Sequence, residues 1–302
     1  MQPSLSVVIV NYNAGRHLVR CLQSLVEHLP DVSWDGVVVD NCSTDGSEES
    51  VATFAPRVSL LRNATNVGFG RAVNQGVAAT TGPLCLFLNP DGALLPGAVQ
   101  RLLAGIAHHP ECAIIAPAVV NEDGTPQGNA RGDPTMLTGL FGRTSVLRKF
   151  FPGAAIARRN VVTDAASGLT KAGIEVDWVS GSCMLVRRDV FEHHQGFDER
   201  YFMYWEDADL CRRIRGAGGT VRYLPEARVS HAVGRSSHTA PAIAIRAFHD
   251  SAYLYYREYV ASSAWRRAMA FVLLRLRCQI HLWQLARRRR KIVLEERDDV
   301  RF

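Results

Sequence analysis

The chain has 302 residues, 47% hydrophobic and 21% charged, enough to bury the core of one large domain or two ordinary ones. No run of 18 apolar residues occurs, which excludes a spanning helix of the usual kind. The net charge of +6 is uneven: residues 239–302 hold 13 Lys/Arg against 6 Asp/Glu, and the other 238 residues hold 22 against 23. The body therefore offers no basic groove for nucleic acid.

The apolar run 5–10 predicts a buried strand. It lacks a preceding basic region and ends at Asn11, so it does not read as a secretory signal. Residues 16–29 place Leu18, Leu22, Leu25, Val26 and Leu29 at helical spacing. A strand at 37–40 follows, and Asp45 with Glu48 offers a capping-box start for the next helix. Strands at 58–61, 84–88 and 113–115 and helices at 71–79 and 96–108 complete an alternation that predicts a parallel sheet covered on both faces. Residues 121–171, rich in Gly, Pro and Arg, predict loops and short elements over a cleft. Regular patterning returns at 176–187 and in a helix near 207–215. The strand-like 221–224 is set apart from His231 by a short turn. From Pro241 the chain reads as two helices and a charged end. The seven cysteines (Cys21, Cys42, Cys85, Cys112, Cys183, Cys211 and Cys278) form no CxxC pair and predict buried free thiols in a reducing cytoplasm.

Ligands of an open parallel sheet collect beyond the carboxyl ends of its strands. Three predicted strand ends finish in polar residues: Asn11-Tyr12-Asn13, Asp40-Asn41 and Asn89-Pro90-Asp91. One such end is simply good turn chemistry, but three together predict a polar ligand site. Asn66-Val67-Gly68-Phe69-Gly70-Arg71-Ala72-Val73-Asn74 fails the dinucleotide fingerprint because Val73 stands at its third glycine. It still opens a helix with bare amides and an arginine, which suits a diphosphate. The densest cluster runs from Gly196 to Leu210, where Tyr201, Phe202, Tyr204 and Trp205 lead into Glu206, Asp207 and Asp209 at a helix start. Asp209 and Arg213 make an ordinary i,i+4 pair. Glu206 and Asp207, flanked by rings, would lose solvent and gain the basicity that a general base needs. A lone His231 becomes a metal ligand only with a carboxylate partner, for which Asp91 is the candidate.

These motifs stand in the order seen in family 2 glycosyltransferases: 7–13, 39–46, 66–76, Leu88-Asn89-Pro90-Asp91, Gly181-Ser182-Cys183, 196–210 and His231. The resemblance covers about residues 4–238, and the Asn-Pro-Asp triplet and the Gly-Phe-Asp-Glu-Arg-Tyr-Phe-Met-Tyr stretch are similar to the rhamnosyltransferase-like branch. It implies a GT-A fold over 1–238, a Rossmann-like mainly parallel α/β sheet, with a basic helical extension over 239–302. The implied reaction is an inverting transfer, with L-rhamnose from dTDP-rhamnose as the favoured donor. The implied acceptor is a polyprenyl-diphosphate-linked glycan or a polysaccharide of the bacterial envelope. Asn11, Asp40 and Asn66 would hold base and ribose, with Tyr12, Asn13, Asn41, Ser43, Gly68, Gly70, Arg71, Asn74 and Asn89 completing the nucleotide-sugar site. Asp91 would ligate Mg²⁺ or Mn²⁺. Many relatives carry an acid where Asn89 stands, so here His231 becomes the second ligand. Asp207, beside Glu206, would be the base, and Gly181, Ser182, Tyr204 and Trp205 would meet the acceptor. A non-catalytic sugar-binding protein on the same fold would be expected to lack Asp91 or Asp207; this chain has both.

In the tail, Trp265, Met269, Val272, Leu276, Ile280 and Trp283 form one helical stripe, with Arg266, Arg267, Arg275 and Arg277 off it and a basic run at 287–291. Two readings stand. Either the stripe packs on the catalytic body, or it lies on an anionic membrane at the inner face of the plasma membrane, making the protein cytoplasmic and peripheral.

Overall fold

The computed structural model describes residues 3–133, 173–232 and 240–299, the stretch 289–299 by its backbone alone. The chain begins β1 (Leu5–Asn11), α1 (Arg16–His28), β2 (Trp34–Asp40), a 3-10 helix (Ser47–Phe54), β3 (Val58–Arg62), α2 (Phe69–Ala78) and β4 (Leu84–Leu88). It continues with β5 (Gly92–Leu94), α3 (Ala98–His108), β6 (Cys112–Val120), β7 (Ala130–Arg131), β8 (Ile174–Glu175), β9 (Trp178–Val179) and β10 (Cys183–Arg187). Then come α4 (Arg188–His193), α5 (Glu206–Gly216), β11 (Thr220–His231), α6 (Pro241–Tyr259) and α7 (Ala264–Asp299).

Among the described residues the main sheet runs β3-β2-β1-β4-β10-β6-β11-β5, with β8 also on β11, and β7 pairs β9 in a separate ribbon. The β1–β4 half is parallel, as expected. β10 is antiparallel to β4 and β6, and β5 and β8 are antiparallel to β11, so the sheet is mixed. The central strands are Val/Ile/Leu-rich because both their faces are covered. Val7, Ile9, Val38 and Leu86 share a core with Leu18, Leu22 and Leu25 of α1 and Leu102 of α3. Their neighbours Val8, Val37, Val39 and Phe87 join Ala72, Val73 and Val77 of α2 and Leu210 and Ile214 of α5. That alternation is the strand period of two. Gly76 lets α2 lie on the sheet, since a Cβ there would strike the Val8 side chain.

Several sequence expectations change. The helix after Asp45 is a 3-10 helix, whose start Asp45 caps by accepting from Ser47 N at 3.1 Å and Ser47 Oγ at 2.7 Å. Residues 176–187 divide into β9 and β10, which belong to different sheets. The turn expected before His231 is a register shift inside one strand: β11 runs unbroken from Thr220, absorbing the irregularity between Leu224 and Arg228. All seven cysteines are free, but Cys42 is exposed because it sits at φ 66° on the turn after β2.

Residues 134–171 of the expected loop region, and the expected division at 238/239, lie outside the described residues. Helix α6 packs on the body: Tyr255 lies 5.2 Å from the Trp205 ring, and Ser251 Oγ donates to Met203 O at 3.0 Å. Helix α7 buries Ala270, Leu274 and Cys278 on the side that meets α6. The opposite side carries Trp265, Val272, Leu276, Ile280 and Trp283, each more than half exposed. Among the described residues the stripe therefore does not pack on the body, and a different face of the same helix does.

Candidate active site

The carboxyl edge of the sheet gathers the polar strand ends. At the ends of β1 and β2, Asn11 Nδ2 reaches Asp40 Oδ1 at 2.8 Å, Ser47 Oγ at 2.9 Å and Ser43 Oγ at 3.1 Å. Asp40 also accepts from Ser43 N and Oγ at 3.0 and 2.6 Å. Asn13, at φ 51°, accepts from Thr44 N at 2.7 Å and donates its own amide to Ser43 Oγ at 3.0 Å. These bonds tie the two turns together. They leave Asn11 Oδ1 a buried acceptor without a partner among the described residues. Tyr12 is half-buried on the same edge.

The next layer is the 66–70 turn. Asn66 Oδ1 accepts from Gly68 N at 3.0 Å, and Asn41 Nδ2 donates to Gly68 O at 3.0 Å. Gly68, at φ 90°, lies so close to Phe202 O that a side chain there would collide with it, and Phe69 N donates to that oxygen at 2.8 Å. Gly70 sits against Phe197 and Glu206 for the same reason of space. Asn74 has a different occupation from the one expected. Its amide bonds both ways to the Phe197 backbone, at 2.9 Å each, and fastens α2 to the 196–197 turn. Arg71 is exposed, 3.5 Å from Glu199.

Asp91 and His231 do come together: His231 Nε2 lies 3.0 Å from Asp91 Oδ1, and both side chains are at least 89% buried. Their meeting follows from the β5–β11 pairing, which sets His231 opposite Gly92. Asn89 Nδ2 lies 3.2 Å from the same Nε2. No cluster of three or more His, Cys, Asp or Glu that could hold a metal occurs among the described residues. A cation here would have one carboxylate and one imidazole from the protein and draw the rest from substrate and water. The pair fits such an ion: ligands at right angles on an octahedral cation with bonds of about 2.1 Å stand about 3 Å apart.

The third group opens α5. Tyr204 and Trp205 both have left-handed backbones, at φ 69° and 72°, and turn the chain sharply into the helix. Such a pair of bulky residues is uncommon and is held by packing, here Trp205 and Tyr204 against Phe248 and Trp205 against Tyr255. Asp207 Oδ2 accepts from Gly181 N at 2.9 Å and Oδ1 from Ala208 N at 2.8 Å. Burial raises the Asp207 pKa, against the two amides and the charge of Arg131, which pull it down. Glu206 is 4% exposed, with Oε2 unpartnered among the described residues; burial and then the charge of Asp207 push its pKa well up. Asp209, 1% exposed, is saturated by Arg213 Nε at 2.7 Å and the Tyr259 hydroxyl at 2.6 Å. Gly181 and Ser182 link the groups: Asn89 N donates to Ser182 O at 2.9 Å while Gly181 holds Asp207. The Asp91–His231 pair and the raised carboxylate thus share one short backbone connection.

Sequence reasoning missed three residues here. Gln127 bonds His231 at 3.1 Å through Nδ1. Arg131 stacks 5.2 Å from the Trp178 ring and acts on Asp207. Tyr259 reaches Asp209 from α6. All three lie outside the motifs, and only their contacts give them away.

The comparisons agree with this geometry. The family model described as Glycosyl transferase family 2 matches residues 6–194. The chain is 35% identical to the N-acetylglucosaminyl-diphospho-decaprenol L-rhamnosyltransferase of Mycobacterium tuberculosis (strain H37Rv), over 98% of this chain and 99% of that protein. It is 44% identical over 73 residues to the rhamnosyltransferase WbbL of Escherichia coli K12, covering 24% of this chain and 26% of that one. In fold it resembles GalNAc-T7 solved with UDP, GalNAc and Mn²⁺ (TM-score 0.59, 19% identity, 76% of this chain and 44% of that one). It also resembles the mannosyltransferase PcManGT of Pyrobaculum calidifontis in complex with GDP-Man and Mn²⁺ (TM-score 0.53, 18% identity, 91% of this chain and 74% of that one). A mixed α/β sheet with this polar edge, a family match over most of the body and a near full-length relative make this chain a member of glycosyltransferase family 2, of the rhamnosyltransferase-like kind with the GT-A fold.

Proposed function

We propose that the protein transfers L-rhamnose from dTDP-rhamnose, with inversion, to a lipid-linked acceptor carrying a diphospho-sugar. The observation that carries this reading is the short bridge through Gly181 and Ser182, which ties the Asp91–His231 pair to the elevated carboxylate of Asp207. Asn11, fully buried with Oδ1 unpartnered among the described residues, would act beneath the nucleotide by holding the turns that line it. Asp40, Ser43 and Asn41 hold the turns around it. The Gly68 and Phe69 amides are taken by Asn66 Oδ1 and Phe202 O, so the Gly70 and Arg71 amides and the Arg71 side chain would be what α2 offers the diphosphate.

Asp91 and His231 would hold Mg²⁺ or Mn²⁺, which supplies positive charge to the departing diphosphate. Asp207 takes the proton of the acceptor hydroxyl, whose oxygen attacks the anomeric carbon on the side opposite the diphosphate. The carbon–oxygen bond to the diphosphate breaks as the new one forms, and one displacement inverts the configuration. Burial keeps Asp207 basic, and the Gly181 amide keeps it aimed. Tyr204 and Trp205, which precede this helix start and pack on Phe248 and Tyr255, would form a wall for the acceptor.

The location follows from the acceptor and from α7. Among the described residues no helix is long and apolar enough to cross a membrane. The exposed stripe of α7, flanked by Arg266 and Arg275, suits a helix lying on an anionic surface. The reading is tested by incubating the protein with dTDP-rhamnose, Mn²⁺ and a short-chain prenyl diphospho-N-acetylglucosamine. The expected result is a disaccharide lipid of inverted anomeric configuration with release of dTDP. Transfer from another nucleotide sugar but not this one would move the donor assignment, and no transfer or donor hydrolysis at all would overturn the reading.

A further inference from the structure

The turn after β6 is joined to His231 by a chain of oriented hydrogen bonds. Asp123 accepts from the Thr125 hydroxyl at 2.6 Å and from Thr125 N at 2.9 Å, and these two bonds, the hydroxyl's first, hold its carboxyl below the usual range. The ionised Asp123 can only accept, so the single hydroxyl proton of Thr125 is committed to it. Thr125 Oγ1 in turn accepts from Asn121 Nδ2 at 2.7 Å. Asn121 must then present Oδ1 on its other side, where Gln127 Nε2 donates to it at 3.0 Å. The same Nε2 donates to His231 O at 2.8 Å, a backbone oxygen that also can only accept. Heavy atoms alone do not distinguish the two ends of an amide, so these acceptor-only partners decide its orientation. Gln127 Oε1 is thereby the atom 3.1 Å from His231 Nδ1. A carbonyl oxygen accepts, so Nδ1 carries a hydrogen, and Nε2 is the ring nitrogen turned to Asp91 Oδ1, 3.0 Å away.

We propose that Gln127 is a positioning residue, which clamps the ring and backbone of His231 and fixes the tautomer whose Nε2 lone pair serves a cation shared with Asp91. The proposal rests on the metal reading above. Partners of this outer kind typically change metal affinity about 10–100-fold. The intact protein is titrated with Mn²⁺ in the presence of dTDP, and free Mn²⁺ is read by its paramagnetic resonance signal. Gln127→Leu should bind Mn²⁺ about 10–100-fold more weakly, at an unchanged far-ultraviolet dichroism spectrum. Thr125→Val, on an exposed turn, frees the Asn121 amide and should cost about threefold. Without metal, at a pH where the imidazole is neutral, the His231 ring nitrogens should show Nδ1–H alone in the unaltered protein and a mixture in Gln127→Leu. A loss of Mn²⁺ binding in Asp91→Ala, with none in Gln127→Leu and a single tautomer in both, overturns the role of Gln127 alone. Equal Mn²⁺ affinity of the unaltered protein and Asp91→Ala removes the metal reading, and this inference with it.

Discussion

The two halves of the sheet's carboxyl edge carry the same kinds of residue and treat them in opposite ways. At the ends of β1 and β2, Asn11, Asp40, Ser43 and Ser47 join one another by five hydrogen bonds among side chains and a turn amide, with Asn11 Oδ1 left over among the described residues. At the ends of β4 and β11, Asp91 faces His231, and nearby Glu206 lies buried with an oxygen unpartnered among the described residues. The first half is stiff scaffold. The second holds acids in a dry place with few donors, where a cation or a proton can change the balance of charge. Counting polar strand ends does not separate the two halves, nor does counting unsatisfied atoms, since Asn11 Oδ1 is one in the first half and Glu206 Oε2 one in the second. The difference is that Asp40 is held by amide and hydroxyl donors, whereas Asp91 faces an imidazole.

The widest separation lies within one helix turn. Asp207 and Asp209 are two residues apart, yet one faces the site and the other is fully paired. Asp207→Asn should lower turnover at least about 100-fold with donor KM and melting temperature near those of the unaltered protein. Asp209→Asn should act through the fold instead. Removing one member of a buried pair costs about 3–5 kcal/mol, so its melting temperature should drop while the folded fraction keeps most of its turnover. If Asp209→Asn is the catalytic loss and Asp207→Asn is mild, the assignment of the base is wrong.

The metal half comes next. Chelator should abolish transfer, and Mn²⁺ or Mg²⁺ should restore it. Asp91→Ala should remove metal-dependent donor binding, measured calorimetrically, and His231→Ala should weaken it less. In the scaffold half, by contrast, Ser43→Ala removes three bonds of about 1 kcal/mol each and should appear in the melting temperature with little change in metal affinity. Full activity in chelator would erase the difference between the halves.

Glu206 gives a smaller effect with a definite sign. Its folded-state pKa is raised by burial and by Asp207, so the folded protein holds that proton more tightly than the unfolded chain does. Stability from this group is fully present below the ordinary carboxylate range and is lost as pH rises through the raised value. Glu206→Gln, neutral at every pH, should therefore melt higher than the unaltered protein above neutrality, with the gain shrinking as pH falls. Asp207 must be ionised to act, and its own raised pKa should move the acid limb of turnover upward from the usual carboxylate range. A melting gain for Glu206→Gln that grows toward acid pH would contradict the sign.

Much of this was legible because it is local. Val/Ile runs, Leu spacing in α1 and the acids opening α5 write themselves as period and composition, and the motif order fixed which strand ends belong together. What was not legible depends on partners far apart in the chain. Gln127 and His231 are 104 positions apart, Asp209 and Tyr259 are 50, and Asn74 and Phe197 are 123. No periodicity reports such pairs. The antiparallel insertion of β10 was hidden for a related reason: a buried run reads alike in either direction. The α7 stripe was found by spacing, but spacing alone does not tell which of two apolar faces meets the body. Small residues decided it, because Ala270, Leu274 and Cys278 let α6 come close.

The weakest effect on the chemistry should come from that outer stripe. Its side chains already stand in solvent, so Trp265→Ala or Trp283→Ala removes no buried contact and should shift the melting temperature little, unlike a core change such as Leu22→Ala, at about 2–5 kcal/mol. Arg287 stacks 4.6 Å from the Trp283 ring, at the end of the stripe that leads into the basic run. On an anionic bilayer each basic residue near the surface adds about 1 kcal/mol, screened over a Debye length of about 8 Å at physiological salt. The protein should therefore sediment with anionic vesicles at low salt and less as salt rises. It should do so less at every salt concentration when Arg287, Arg288, Arg289 and Arg290 are changed to Gln. Transfer to a short soluble acceptor should stay unchanged in that variant, because the stripe lies on the opposite side of α7 from the body. Failure to sediment with anionic vesicles even at low salt would separate the stripe from any lipid surface and leave it to a protein partner.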